Sequence, residues 1–478
     1  MKNKYIIFAF IAAAFSACTK DSLSPKPPTS IIEEEAFANP QRISQQVLGV
    51  YAAVKTTDFY AGRYQVNLEL RGEEFLNATL NVTAGLATWN FTLTPSNAEV
   101  QLTWRDAYAS INRSNVVYEG IEEATVIPAD LKNQYMGEVR FLRALCHFAL
   151  INLYARPYWD GNGSKEGIPL RLIAEKGGNN KLPRSTVAQV YAQVISDLDF
   201  AEANLPLTYS NAYDNTTRAH RNTAISLKTR VYLAMAKYDK VILEANKIIS
   251  ATAPFNAPTG VANQLSPIIS AVFSAPYTTT ESVFSFAFTT LDAPTTAGLF
   301  YNPSPNGSGH YPLNPEGIIA NTEWKPTDAR RAFNQVSGTS MWLRKWPKNP
   351  SSESDYGTVI RYAETMLNLS EALVRQNAVV DARAVALLNA IRQRSDPTTV
   401  FTVASFATPQ DLLNQIEIER RIELLGEGFR SFDRLRLAQP LLAKGSAPLI
   451  NTTDIQYIWP IPLSELLINS DCTQNPGY

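Results

Sequence analysis

A hundred-residue break in helical periodicity is the feature that most limits how this chain can fold. On either side of it, apolar residues recur at the three- and four-residue spacing of an amphipathic helix. Over 41–60 they are Ile43, Val47, Val50, Tyr51 and Val54; over 104–121 they include Tyr108, Ile111 and Val116; over 186–205 they are Val190, Val194, Ile195 and Leu198. The stretch 131–154 is apolar almost all round, which predicts a buried helix. Segments 224–235 and 241–249 are joined at Lys237-Tyr238-Asp239 as a helix–turn–helix unit, and the form recurs at 362–375 and 379–394, with a further helix over 410–428. In 362–375, Met366, Leu367, Ser370, Leu373 and Val374 share one face, with Asn368, Glu371 and Arg375 opposite. Successive pairs of this size predict a mainly α, tetratricopeptide-like solenoid in which each unit buries its apolar face on its neighbours.

The break itself, 251–350, holds 12 of the 29 prolines. Proline cannot continue a helix, so this is read as a loop-rich inserted subdomain. Short strands are expected in it: the alternation over 281–288 puts Phe284, Phe286 and Phe288 on one face, and Trp342, Arg344 and Trp346 alternate likewise. The organisation is then an N-terminal helical part over 31–250, the insertion over 251–350, and a C-terminal helical part over 351–478. At 478 residues and 45% hydrophobic, the chain can bury a large core. Trp104, Trp342, Trp346 and Trp459 are expected to pack inside it.

A formal net charge of -1, without a long Lys/Arg run, argues against nucleic acid, whose phosphates need clustered cations. The three histidines (His147, His220, His310) are far apart in sequence, which argues against a His/Cys metal site; no metal or cofactor is expected. Cys146 falls on the apolar stripe of Val139, Leu142, Leu150 and Leu153 and reads as a buried small hydrophobe rather than half of a disulfide with Cys472.

The N-terminus is an address. Lys2 and Lys4 precede an apolar run from Tyr5 to Phe15, too short to span a bilayer but suited to a signal peptide over 1–17. Phe15-Ser16-Ala17-Cys18 resembles a lipobox, which makes Cys18 the expected lipidation site and outer-membrane anchor. Thr19-Lys20-Asp21 is similar to the charged tag that sends such lipoproteins to the cell surface in Bacteroidetes-type bacteria. The rest of the segment 18–30, with three prolines, reads as a stiff tether.

The C-terminal third resembles the SusD/RagB family. The resemblance rests on Arg361-Tyr362-Ala363-Glu364-Thr365, on the run from Glu419-Arg420-Arg421 through Gly426-Glu427-Gly428-Phe429-Arg430 to Asp433-Arg434, and on Pro460-Ile461-Pro462, Glu465 and the closing Gln474-Asn475-Pro476-Gly477-Tyr478. Earlier segments, Tyr108 to Asn115 and Arg140-Phe141-Leu142-Arg143, are similar too. One departure stands at Arg71-Gly72-Glu73-Glu74, where the family commonly has Gly-Asp. The charged motif residues Glu419, Arg420, Glu423, Arg430 and Asp433 are read as an internal network tying helices together, since charges tolerate burial only when paired.

The resemblance implies a non-enzymatic surface lipoprotein that binds oligosaccharides, or peptides as some relatives do, and sits as a lid on a SusC-like TonB-dependent transporter. A sugar presents an apolar C–H face and a ring of hydroxyls, so aromatics in loops are the candidates. These are Trp89 in Thr88-Trp89-Asn90-Phe91, Tyr60 after the first helix, Tyr301 and Tyr311 flanking the loop 302–309, and Trp324 between Glu323 and Lys325, with Arg71 as a hydroxyl donor. In relatives an aromatic arc is drawn from about these regions. Trp89 and Trp324 are expected to be exposed. Two other classes compete: a ligand-free scaffold, and a surface glycosidase, which needs a facing carboxylate pair drawn from Glu73, Glu74, Asp292, Glu316 and Glu323.

Overall fold

The computed structural model describes residues 33–178, 181–289, 296–347 and 355–478. The signal segment, Cys18, the tether to residue 30 and Asp292 lie outside the described residues. The helices that matter below are α1 (Pro40–Val54), α2 (Arg63–Leu70), α3 (Leu86–Asn90), α4 (Ala98–Glu123), α5 (Ala129–Tyr154), α6 (Val187–Asn204), α7 (Ala212–Thr217), α8 (Arg221–Ala234) and α9 (Tyr238–Ala245). After the insertion come α10 (Tyr362–Asn377), α11 (Ala382–Ser395), α12 (Pro409–Glu423), α13 (Arg430–Arg436) and α14 (Leu463–Ile468).

Sequence neighbours pack on one another: α4 on α1 and α5, α6 on α5, α8 on α6, α9 on α8. Helix α9 then packs on α10, over a hundred residues later, and α10 on α11 and α12. The mainly α solenoid therefore runs straight across the proline-rich break. The neck of the insertion is a two-stranded antiparallel sheet of β1 (Ser282–Phe286) and β4 (Gly357–Arg361), with Ser282 opposite Arg361 and Phe286 opposite Gly357. Gly357 is required there, since a Cβ would meet that of Ala61 at 2.0 Å. A second hairpin, β2 (Asn334–Ser337) with β3 (Ser340–Leu343), carries Trp342 opposite Gln335. The pairing of β1 is irregular after Ser282 and after Phe284, so the simple alternation read from the sequence breaks. Phe284, Phe286 and Phe288 nonetheless all join the main core, with Phe284 edge-on to Phe141 at 5.2 Å.

Helix ends follow local chemistry. Asn39 caps α1 by accepting from the Arg42 N–H at 2.9 Å, with Pro40 at the first helical position. Asp381 does the same for Ala384 at 2.9 Å, which is why α11 starts later than its apolar pattern suggests. Helix α12 ends at Glu423 rather than 428, because Gly426 and Gly428 take left-handed φ of +83° and +90°. The predicted polar face of α10 is not solvated. Asn368 and Glu371 are buried, Asn368 donating to the Thr229 hydroxyl at 3.1 Å and Glu371 accepting two bonds from Arg436 at 2.7 Å. This helix touches α8, α9, α11, α12 and β4, so it has no outward face to spare.

Two large apolar cores result among the described residues, with a small satellite of Leu233, Val241 and Ala372. The main one fills the solenoid; the second lies among α2, α3, the insertion and the C-terminal segment. Trp104, Trp342, Trp346 and Trp459 are buried, and Cys146 and Cys472 are both buried and unpaired. No helix among the described residues is long and apolar enough to cross a membrane.

Candidate functional site

Two loops lie side by side over the second core. The first, residues 76–83, reads Leu-Asn-Ala-Thr-Leu-Asn-Val-Thr and folds on its own amides. Asn77 Oδ1 accepts from the N–H groups of Thr79 (3.2 Å) and Leu80 (2.8 Å), and Asn81 Oδ1 accepts from the N–H (2.9 Å) and hydroxyl (2.8 Å) of Thr83. The second loop runs through 302–309 to His310. The Leu76 N–H donates to Pro312 O and the Ala78 N–H to His310 O, both at 2.9 Å, and the Thr79 hydroxyl meets His310 Nδ1 at 2.9 Å. Arg63, at the start of α2, donates to Thr83 O at 2.7 Å and lies 5.2 Å from the centre of the Phe300 ring. Leu80 and Val82 stand 74% and 71% exposed at the loop tip.

These groups make a shelf with hydroxyls, amides, an imidazole, a guanidinium and two aliphatic tips. Burial, and then the charge of Arg63, hold the His310 pKa below the usual histidine value, so at neutral pH its ring is an uncharged hydrogen-bond partner. Such a surface suits a neutral, hydroxyl-rich ligand with apolar C–H faces.

The six residues predicted to bind are all buried. Trp89 is 4% exposed, in α3 rather than a loop, and its Nε1–H donates to Phe75 O at 2.9 Å. Trp324 is 2% exposed and covered by the Arg331 guanidinium at 4.1 Å. Tyr301 stacks on Phe75 at 4.6 Å, and the Tyr311 hydroxyl donates to Ala84 O at 2.8 Å. Tyr60 packs on Tyr64 at 4.7 Å in the main core. Arg71 donates to Tyr457 O at 2.6 Å, and burial lowers its pKa to about 10. The expectation of exposure for Trp89 and Trp324 is thus overturned. Absence of helical period does not mark solvent here: an irregular segment of this length needs a core of its own, and its large rings supply it. What these rings do is hold the shelf: Trp89, Tyr301 and Tyr311 lie beneath the two loops. The shelf residues were missed. Their signal was the Asn-x-Thr-Leu-Asn-Val-Thr run, rich in side chains that turn the backbone, and a histidine closing the neighbouring loop.

Two of the carboxylates that glycosidase chemistry would draw on, Glu73 and Glu74, are committed to ion pairs. Glu73 accepts from Arg430 at 2.5 Å and Glu74 from Arg421 at 2.8 Å. Burial alone would raise the Glu73 pKa, but Arg430 and Arg421 bring it down to about 2, the wrong direction for a general acid.

A family profile described as "Starch-binding associating with outer membrane" matches residues 23–233, and the profile of the SusD family matches 314–478, together well over half of the chain. A SusD superfamily protein from Bacteroides fragilis has the same fold with a TM-score of 0.82 at 29% identity, over 91% of this chain and 99% of that one. The chain belongs to the SusD family. A SusD-like protein of Formosa agariphila is 23% identical over 99% of each chain. A laminarin-binding SusD-like protein shares the fold at 20% identity, with a TM-score of 0.72 over 92% of this chain and all of that one.

The segments that resemble the SusD family are structural here. Arg361, where β4 meets α10, donates to Glu281 (2.5 Å), Glu423 (2.7 Å) and, through two nitrogens, to Glu427 (2.8 Å each). Arg394 joins Glu281 and Glu423 from the other side at 2.7 and 2.6 Å, and Arg330 reaches Glu419 and Glu423 at 2.5 and 2.9 Å. One buried ionic lattice therefore fastens α10, α11, α12 and the insertion together. At the C-terminus, Gln474 exchanges two hydrogen bonds with the Ile461 backbone (2.7 and 2.8 Å), and Asn475 donates to Tyr154 O and Trp459 O at 2.8 and 2.7 Å. The tail is a clasp on α5. At the departure from the family pattern, Glu73 and Glu74 find Arg430 and Arg421, so the change is absorbed into a second buried ion cluster.

Lys444 is the odd charge. Its Nζ is buried without a hydrogen-bond partner, 4.5 Å from the centre of the Phe91 ring and 5.7 Å from that of Trp89. Burial lowers its pKa to about 7 from 10.5. A lysine depressed on folding costs stability wherever it must carry its charge inside, so the penalty is complete below about pH 7 and vanishes above about pH 10.5. Lys444→Met should therefore stabilise the protein, by about 1–3 kcal/mol at pH 6, and the gain should shrink as pH rises. Chemical denaturation at pH 6 and pH 9.5 reads this; an equal or larger gain at pH 9.5 would refute it.

Proposed function

We propose that this protein is a lipoprotein, anchored in the outer membrane through acylated Cys18 and facing the exterior, that captures oligosaccharides on the shelf of residues 76–83 and His310. It then delivers them to a SusC-like TonB-dependent transporter. The carrying observation is the shelf: exposed hydroxyl and aliphatic groups, fixed on a buried aromatic platform, in a chain of the SusD family. The starch-binding description of the family profile and the laminarin-binding neighbour support a glycan ligand.

Isothermal titration with laminarin, malto-oligosaccharides and a panel of short peptides tests it. At least one glycan should bind, and Thr79→Ala combined with His310→Ala should weaken that binding about tenfold, or about 1.4 kcal/mol, with no change in melting temperature. Binding of peptides alone would move the ligand class to peptide, and no binding of any probe would remove the capture function. Full-length protein extracted in mild detergent should also carry a large β-barrel in roughly equal amount; recovery as a monomer in several mild detergents would count against the transporter partnership.

A further inference from the structure

A built cleft lies apart from the shelf. It opens between α1, α7 and the end of β1, with a volume of about 210 Å³. Its floor is Tyr51 and Phe286, 6% and 2% exposed. One wall is Tyr213, whose side chain stands 53% exposed although it belongs to a helix. The rim carries Asp214, Thr217 and Arg218. None of this is loose. The Tyr51 hydroxyl donates to Glu138 at 2.7 Å and accepts from the Ala219 N–H at 2.8 Å, while Arg218 holds the same fully buried Glu138 through two bonds of 3.0 and 2.7 Å. Floor and rim are therefore fixed before any ligand arrives, which spares the ordering cost of binding.

The chemistry of the cleft is specific. An exposed aromatic wall over an apolar floor accepts the C–H face of a pyranose, and the rim groups are donors and acceptors at the height of its hydroxyls. Size sets the stoichiometry. Pockets that enclose a whole drug-sized ligand run from roughly 300 to 1,000 Å³, so this one holds a single ring while the rest of a chain stays in solvent. Aromatic packing continues beside the cleft. Tyr213 lies close enough to Tyr356 to add to the rise that burial causes in that phenol's pKa, and Tyr356 stacks on Tyr277 with centres 4.6 Å apart and planes at 20°.

We propose that this cleft is a second carbohydrate subsite, separate from the shelf, that takes one pyranose ring of an oligosaccharide against Tyr213; the ligand class rests on the proposed glycan-capture function. Two subsites of this kind would let a weakly held chain gain avidity by engaging both, since the second contact becomes intramolecular.

The test is fluorine NMR of the full mature chain with 3-fluorotyrosine at position 213. Glucose, galactose, mannose, glucuronate, laminarin and maltoheptaose are titrated into the millimolar range, with a tyrosine-containing dipeptide as comparison. A saturable shift is expected with at least one sugar. It should persist in the Thr79→Ala, His310→Ala shelf variant and weaken about fivefold or more in Asp214→Asn. No saturable shift from any sugar, a shift from the dipeptide alone, or a midpoint that Asp214→Asn leaves unchanged would each overturn the proposal. The two readings fail separately. Loss of binding in the shelf variant with a silent Tyr213 sinks the cleft and keeps the shelf; a responsive Tyr213 with an unaffected shelf variant does the reverse.

Discussion

Replacing Arg361 by methionine is expected to destabilise the fold by about 3–5 kcal/mol, because removal of one cation from a buried ion cluster leaves a negative charge uncompensated in a dry interior. Glu281, Glu423 and Glu427, at most 4% exposed and 2.5–2.8 Å from the guanidinium, would keep only their pairs with Arg394, Arg330 and Lys345. The effect should be read as a fall in the urea midpoint. The control is Arg42→Met, which removes an exposed pair with Glu35 at 3.4 Å and should cost at most about 1 kcal/mol. A similar small loss in both variants would show that the lattice does not hold the helices together.

This lattice and the neighbouring cluster of Glu73 with Arg430 and Arg421 set the acid sensitivity. Burial would raise the Glu423 pKa, but Arg394, Arg361 and Arg330 outweigh it and hold the carboxyl well below its usual 4.5; Glu427 is lowered too, and Glu73 reaches about 2. Groups depressed on folding contribute stability above their unfolded pKa and lose it as pH falls through the folded value. Wild-type stability from these carboxylates should thus be intact at pH 5 and fall away from about pH 4.5 towards 2.

Trp89→Ala is expected to cost about 3–5 kcal/mol of stability, the range for truncating a large buried aromatic. The indole is 4% exposed, its Nε1–H bonds Phe75 O, and its ring sits 3.1 Å from where a Cβ on Gly445 would be. The cavity would open directly under the shelf, so glycan affinity should fall only as far as the shelf loosens. A thermal melt and a titration run well below it separate the two effects. A melting temperature that hardly moves, with affinity lost, would put the indole against the ligand after all.

Much of the scaffold was legible in the residues. Nine predicted helical segments appear, because each had an apolar face long enough to show the helical period and a cap or breaker near its ends, as Asn39 and Asp381 illustrate. The roles of Glu419, Arg420, Glu423, Arg430 and Asp433 were legible too, since that density of charge among Ile418, Ile422 and Leu425 could only be buried in pairs.

Which surface a residue faces was decided by the tertiary structure alone. Asn368 and Glu371 lie on the polar side of their helix, yet α12 and α13 close over that side and bring Arg420 and Arg436 to meet them. Trp89 and Trp324 sit in segments with no period to mark an inside, and only the packing of the insertion on α2 and α3 turned both rings inward. Tyr213, on a short helix with no apolar stripe, was left outward over a cleft whose other walls come from positions far away in the chain. Periodicity reports burial when one element makes one interface; where three or four segments converge, burial belongs to the assembly, and no local spacing carries it.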